Sequence, residues 1–125
     1  MQIADGIEYL HSQNLKHCDL KPQNILVQVD ENQSDIKPVI SDYGISFFMG
    51  NETVDQTLQI GRSPRWMPVE YIEGSQISSK TDVWSLGCIM FYVFTNGTQP
   101  WNSATDNNAV MGRLNKKEDF FKDVN

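Results

Sequence analysis

The sequence predicts an α+β fold that is mainly helical and contains one small β-hairpin. Residues 1–13 place apolar side chains at i, i+4 and i+7 from Ile3, which is the spacing of one face of an amphipathic helix. A polar segment at residues 30–35 separates two short β-rich runs, as a hairpin requires. Residues 83–94 are apolar at nearly every position, which is typical of a helix buried at the centre of a domain.

Composition restricts the classes of protein that the chain can belong to. Its 125 residues suffice for one domain with a modest core, and 39% hydrophobic and 21% charged residues are typical of globular chains. A net charge of -6 argues against a nucleic-acid partner. No run approaches the roughly 18 apolar residues of a membrane span. Cys18 and Cys88 lack metal-ligand spacing, so we expect reduced thiols and a cytoplasmic location.

Local signals set the bounds of the predicted helices. Asn14 predicts a left-handed cap for the first helix. A Ser-x-x-Asp capping box at residues 79–82 predicts the start of the apolar helix, and residues 96–97 (Asn-Gly) predict its end. Pro68 predicts the first turn of a short helix, and residues 108–115 have a weaker amphipathic pattern.

The predicted hairpin gathers polar side chains at one end. Its strands are predicted at residues 25–29 and 39–41. Asp19 and Asn24 come just before the first strand, and Asp42 follows the second. Because a hairpin returns the chain to its starting point, we expect these three side chains to lie together. For any one of them alone, capping or turn chemistry at a strand end is the simpler explanation.

Four short motifs occur in a consistent order. Residues 17–24 read His-x-Asp-Leu-x-x-x-Asn, and Asp-Tyr-Gly follows at 42–44. Trp-Met-Pro-Val-Glu occupies 66–70, and Asp-Val-Trp-Ser-Leu-Gly occupies 82–87. Together they resemble the larger, C-terminal lobe of a protein kinase over nearly all of the chain. The resemblance implies a partial kinase domain at residues 1–125, without the smaller lobe and the last helices.

The resemblance implies a role for each site residue. Asp19 would orient the attacking hydroxyl and accept its proton, and Lys21 would meet the transferred phosphoryl group of ATP. Asn24 and Asp42 would hold Mg²⁺, with Asp42 linking the metal to the ATP phosphates. The implied cofactors are therefore ATP and Mg²⁺, and the implied partners are protein substrates.

Two further residues match positions that support the site in kinases. His17 could be a general base by its chemistry, but the resemblance implies a structural role beneath the metal-binding aspartate. Asp82 resembles the aspartate that accepts backbone N–H bonds from the catalytic loop, which it could combine with capping its own helix.

The sequence departs from the kinase pattern at two places near the site. Cys18 replaces the arginine that in many kinases pairs with a phosphorylated residue of the activation loop. Phosphorylation of Thr53 or Thr57 would lack that partner, so we predict weak dependence on loop phosphorylation. Tyr43 replaces a phenylalanine and retains the ring. Residues 45–62 show no clear periodicity and predict a loop.

Specificity signals in the sequence are mixed. Lys21-Pro22 and Ser63 are typical of kinases that act on serine or threonine, whereas Arg65 and its neighbours resemble tyrosine kinases. The combination resembles the tyrosine-kinase-like branch, and we favour serine and threonine as acceptors.

No glycine-rich loop or strand lysine precedes the first helix, so we expect the chain alone to be inactive and to expose apolar surface. The alternative hypothesis is a kinase-like scaffold that binds partners and transfers nothing.

Overall fold

Helices and two short antiparallel sheets make up the part of the chain that the computed structural model describes, residues 2–41, 47–48, 63–72 and 78–119. The helices are α1 (Gln2–Ser12), α2 (Val69–Ile72), α3 (Ser79–Phe94) and α4 (Asn107–Asn115). The strands are β1 (Leu15–Lys16), β2 (Ile25–Val29), β3 (Ile36–Ile40) and β4 (Phe47–Phe48). Single 3₁₀ turns occur at Pro22–Asn24 and Pro64–Trp66. Over these residues no helix has both the length and the apolarity needed to cross a bilayer.

Helix α1 packs its apolar stripe against the hairpin. Ile7 and Leu10 are buried, as the periodicity predicted. A Cβ added at Gly6 would lie 3.0 Å from Cδ1 of Ile40, so the helix backbone approaches β3 closely. Asn14 has φ = 57°, which confirms the predicted left-handed residue after the helix.

The predicted hairpin is confirmed, with a longer second strand. Strands β2 and β3 pair antiparallel from Ile25 opposite Ile40 to Val29 opposite Ile36. The prediction that this strand spans residues 39–41 is wrong, because the Asp30 turn closes the hairpin earlier. Asp30 accepts the N–H of Ser34 at 2.6 Å and the N–H of Asp35 at 3.0 Å, and it also accepts the Ser34 hydroxyl. These bonds lower the pKa of Asp30, and the bond from the Ser34 hydroxyl has the largest effect.

A second small sheet was not predicted. Leu15 pairs with Phe48 and Lys16 with Phe47, so β1 and β4 form an antiparallel pair. Residues 47–48 fall inside the predicted loop at 45–62, most of which lies outside the described residues. Strands of two residues carry too few positions for an alternating pattern to be visible.

Helix α3 is the longest described helix and begins earlier than predicted. Its N-cap is Ser78, which makes no side-chain capping bond, so the predicted capping box at residues 79–82 is wrong. Its end is as predicted: Asn96 has φ = 54°, Gly97 has φ = 95°, and the Gly97 N–H donates to the Tyr92 carbonyl at 2.8 Å.

The main core lies between α1, the hairpin and one side of α3. Its buried members are Ile7, Leu20, Ile40, Trp66, Cys88 and Ile89. The ring of Tyr92 meets that of Trp66 edge to face, with centroids 5.8 Å apart. The other side of α3 is not buried: Val83 and Val93 are each 59% exposed and Phe94 is 77% exposed. The prediction of a helix buried on every side is therefore wrong here, and the expected exposed apolar surface is present.

A smaller core holds the end of the described chain. Trp101, Ala104, Val110 and Leu114 are its buried members. Helix α4 begins at Asn107, one residue before the predicted start, because Asp106 caps it by accepting the Ala109 N–H at 2.8 Å.

Candidate active site

Three of the predicted site residues lie together at the start of the hairpin. The side-chain amide of Asn24 donates to the backbone carbonyl of Asp19 at 2.6 Å and lies 3.4 Å from its carboxylate oxygen Oδ2. The Nζ of Lys21 is 3.7 Å from the same oxygen. The 3₁₀ turn at Pro22–Asn24 shortens the path between them, since the Asn24 N–H donates to the Lys21 carbonyl. A carboxylate, an ammonium group and an amide therefore share one small site.

Asp42, the fourth predicted site residue, lies outside the described residues, as do Tyr43, Thr53 and Thr57. Its place in the site and its role stay predictions. The residue before it, Ser41, is described, and its N–H donates to the Asn24 carbonyl at 2.8 Å.

Asp82 connects helix α3 to the loop that carries Asp19. Its side chain is completely buried. Oδ2 accepts the His17 N–H at 2.9 Å, and Oδ1 accepts the Cys18 N–H at 2.8 Å. Cys18 has φ = 64°, a left-handed conformation that is uncommon outside glycine and asparagine. The prediction that Asp82 holds the backbone of this loop is confirmed.

His11 belongs to the same network and was missed by the sequence reasoning. Its Nε2 lies 2.8 Å from Oδ2 of Asp82, so the buried carboxylate has three nitrogen partners. The sequence carried one signal: His11 follows Ile7 by four residues and so continues the buried stripe of α1. A polar residue in such a stripe needs a partner, but the sequence does not say which.

His17 is held from both sides of its ring. Nδ1 accepts the N–H of Asp19 at 3.2 Å, and Nε2 donates to the carbonyl of Ser41 at 2.7 Å. Because an N–H and a carbonyl are the two partners, the ring carries its proton on Nε2. These contacts favour the structural role over the general base, since both ring nitrogens are engaged by backbone groups of the protein.

Lys21 reaches a second segment of the chain. Its Nζ donates to the hydroxyl of Ser63 at 3.2 Å, 42 residues away in sequence. Ser63 comes just before the 3₁₀ turn at Pro64–Trp66, and the Trp66 carbonyl accepts the hydroxyl of Ser85 at 2.8 Å. Hydrogen bonds therefore connect Lys21 to this turn, and the turn to helix α3.

Comparison with known proteins identifies the family. Residues 1–124 match the family model described as "Protein kinase domain". The chain belongs to the protein kinase family. The predicted resemblance to protein kinases is thereby confirmed.

Kinases with different named specificities are among the relatives. The chain is 32% identical over 127 residues to the serine/threonine-protein kinase/endoribonuclease ire-1 of Caenorhabditis elegans and 33% identical over 135 residues to the serine/threonine-protein kinase RAD53 of Saccharomyces cerevisiae. It is 38% identical over 101 residues to a putative tyrosine-protein kinase of C. elegans. These alignments cover 95%, 98% and 80% of the chain, but only 13%, 16% and 11% of the relatives.

Among the described residues, the candidate site contains two side-chain groups with oxygens suited to Mg²⁺, the Asp19 carboxylate and the Asn24 amide. Both groups that face the Asn24 amide nitrogen, the carbonyl and the carboxylate of Asp19, are acceptors, which fixes the direction of the amide. The Asn24 oxygen Oδ1 accepts no hydrogen bond from the described residues, and amide oxygens suit hard cations. Within those residues no group of three His, Cys, Asp or Glu side chains could hold a metal ion. The donor set fits Mg²⁺ bound mainly by phosphates and water.

Proposed function

We propose that the chain is the larger lobe of a protein kinase that transfers the γ-phosphoryl group of ATP to serine or threonine hydroxyls of proteins. One observation supports this most strongly: Asp19, Lys21 and Asn24 share one site, on a loop held by a buried carboxylate. Phosphoryl transfer depends mainly on positioning and charge stabilisation, so a rigid polar site of this kind suits it.

Asp19 would act on the acceptor hydroxyl. Its side chain is 14% exposed, so the carboxylate can be reached from solvent. The Asp19 backbone is fixed, because its carbonyl accepts from Asn24 and its N–H donates to His17. A carboxylate oxygen of Asp19 is then left to orient the acceptor hydroxyl and to accept the hydroxyl proton.

Lys21 and Asn24 would act on the phosphates. Lys21 presents an ammonium group beside Asp19, where it can neutralise charge on the transferred group. Asn24, together with Asp42, would hold Mg²⁺. When bound, the metal neutralises charge on the ATP phosphates.

Serine and threonine are the proposed acceptors. The contact of Lys21 with Ser63 supports this choice, since both residues match the serine/threonine pattern of the family. Two of the three relatives described above carry that specificity in their names. We also propose a cytoplasmic location, which the absence of a disulfide at the buried Cys18 and Cys88 supports.

The test uses the natural protein expressed from its complete reading frame. Transfer from radiolabelled ATP to serine-, threonine- and tyrosine-containing peptides is measured with Mg²⁺, beside Asp19→Asn. We expect label on serine and threonine peptides and a loss of at least about hundredfold in the variant. Equal labelling by both proteins would refute the enzyme and favour the scaffold, and label on tyrosine peptides alone would refute the acceptor class.

A further inference from the structure

Arg65 organises a loop that lies outside the site described above. Its Nη1 donates to the carbonyls of Pro100 and Trp101, each at 2.7 Å, and its Nη2 donates to the carbonyl of Ala104 at 3.0 Å. Three backbone carbonyls thus converge on one guanidinium. Arginine provides this fan of donors in a plane, whereas a lysine ammonium is a single point of charge.

Residues 100–104, which contain the three carbonyls bound by Arg65, form neither a helix nor a strand. Trp101 adopts φ = 57° with its ring buried, and the Ala104 N–H donates to the Trp101 carbonyl at 2.8 Å. Carbonyls that point inward in such a turn need donors. Arg65 supplies them, so this side chain joins the loop to the Pro64–Trp66 turn.

The same turn leads back to the candidate active site. Ser63 precedes it, and the Ser63 carbonyl accepts the Trp66 N–H at 3.1 Å. The Ser63 hydroxyl accepts from Lys21, whose ammonium lies 3.7 Å from the Asp19 carboxylate. A continuous series of contacts therefore runs from the 100–104 loop through Arg65 and Ser63 to Lys21.

We propose that Arg65 is a positioning residue for phosphoryl transfer. By fixing the Pro64–Trp66 turn against the 100–104 loop, it places the Ser63 hydroxyl where it holds Lys21 beside Asp19. This inference rests on the proposed kinase function, but its structural part can be measured without activity.

Arg113 provides a matched control. Its Nη1 donates to the Ser103 hydroxyl at 2.7 Å, and its guanidinium lies 5.4 Å from the centre of the Trp101 ring. It therefore supports the same loop as Arg65, but from helix α4. Losing it removes one support of the loop but leaves the three Arg65 bonds in place, so Ser63 should keep its position.

The experiment compares Arg65→Met, Arg65→Lys and Arg113→Met in the natural protein. We expect Arg65→Met to lower kcat about tenfold with a KM for ATP within about twofold of the unaltered protein. Arg65→Lys should restore part of the loss, and Arg113→Met should leave kcat unchanged. If Arg65→Met leaves kcat unchanged and lowers kcat/KM only by raising the KM for ATP, the proposal is overturned.

A second measurement does not depend on catalysis. A pulse of an amine-reactive ester followed by mass spectrometry gives the acylation rate of Lys21, with the buried Lys16 reporting unfolding. We expect faster acylation of Lys21 in Arg65→Met than in Arg113→Met, with Lys16 protected in both. Equal Lys21 rates in the two variants would overturn the proposal. Should Asp19→Asn prove fully active, the kinase function fails, while this comparison still decides whether Arg65 positions Lys21.

Discussion

The backbone N–H of Cys18 donates to Oδ1 of Asp82 at 2.8 Å, although the two residues lie 64 positions apart. Cys18 has a left-handed backbone, which costs a residue with a side chain about 1–2 kcal/mol. A hydrogen bond to a buried carboxylate can offset that cost. The shape of the loop that carries Asp19 is therefore imposed by helix α3 and does not arise from the loop sequence alone.

Replacing Asp82 with asparagine should destabilise the protein. An amide has one acceptor oxygen where the carboxylate has two, so one backbone N–H would face another donor. We expect the free energy of unfolding to fall by about 2–4 kcal/mol, measured by urea denaturation. Asp106→Asn is the control, because asparagine caps a helix as well as aspartate does. A loss at position 82 no larger than in this control would contradict the role of the carboxylate.

Replacing His11 with alanine should cost less and should depend on Asp82. The imidazole is partly exposed, at 18%, and Asp82 keeps two backbone donors without it. We expect a loss of about 1–2 kcal/mol. In a double-mutant cycle with Asp82→Asn, the loss of unfolding free energy in the double variant should differ from the sum of the two single losses by at least about 0.5 kcal/mol. Full additivity would show that the 2.8 Å contact contributes nothing to stability.

Replacing Lys21 with methionine should lower kcat by about hundredfold while the KM for ATP changes little, because a charge near the transferred group acts mainly in the transition state. Steady-state kinetics of the natural protein provide the measurement. Lys37→Met removes the same charge from an exposed position opposite Gln28, away from the Ile25–Ile40 end of the hairpin, and should leave kcat unchanged. Similar losses in the two variants would indicate a general charge effect.

Stability should fall in alkaline solution partly through Cys88. Burial raises the pKa of its thiol from the ordinary value of 9.0 to about 12. Between these values the unfolded chain loses the proton and the folded chain keeps it, so the free energy of unfolding falls as pH rises. Cys88→Ala should flatten this fall by up to about 1.4 kcal/mol per pH unit, measured by denaturation from pH 8 to 11. An unchanged slope in the variant would contradict the raised pKa.

Phosphomimetic substitutions in the predicted loop should have little effect on activity. Cys18 stands where the arginine partner of a phosphorylated loop residue is usually found, so Thr53→Glu and Thr57→Glu should leave kcat close to that of the unaltered protein. Thr53→Gln and Thr57→Gln control for the larger side chain. A large gain confined to the glutamate variants would mean that another cation takes the place of the arginine.

Features that depend on neighbouring residues were predicted well. The helical stripe of α1, the left-handed Asn14 and the Asn96-Gly97 end of α3 follow from short-range sterics and periodicity. Asp19, Lys21 and Asn24 lie within six residues of one another, so their meeting required only a turn.

Features that depend on distant residues were predicted poorly. The capping box failed because the Asp82 carboxylate is occupied by His17 and Cys18 rather than by its own helix. The partners of His11 and Arg65 lie 71 and 35–39 residues away, so no local pattern could name them.

The close approach of α1 to the hairpin at Gly6 has a consequence for how this protein can evolve. An alanine there would favour the helix by about 1 kcal/mol, but its methyl group would press on the buried tip of Ile40. A shorter side chain such as valine at position 40 would remove that conflict. Homologous chains should therefore show correlated changes at these two positions, with glycine retained wherever isoleucine is.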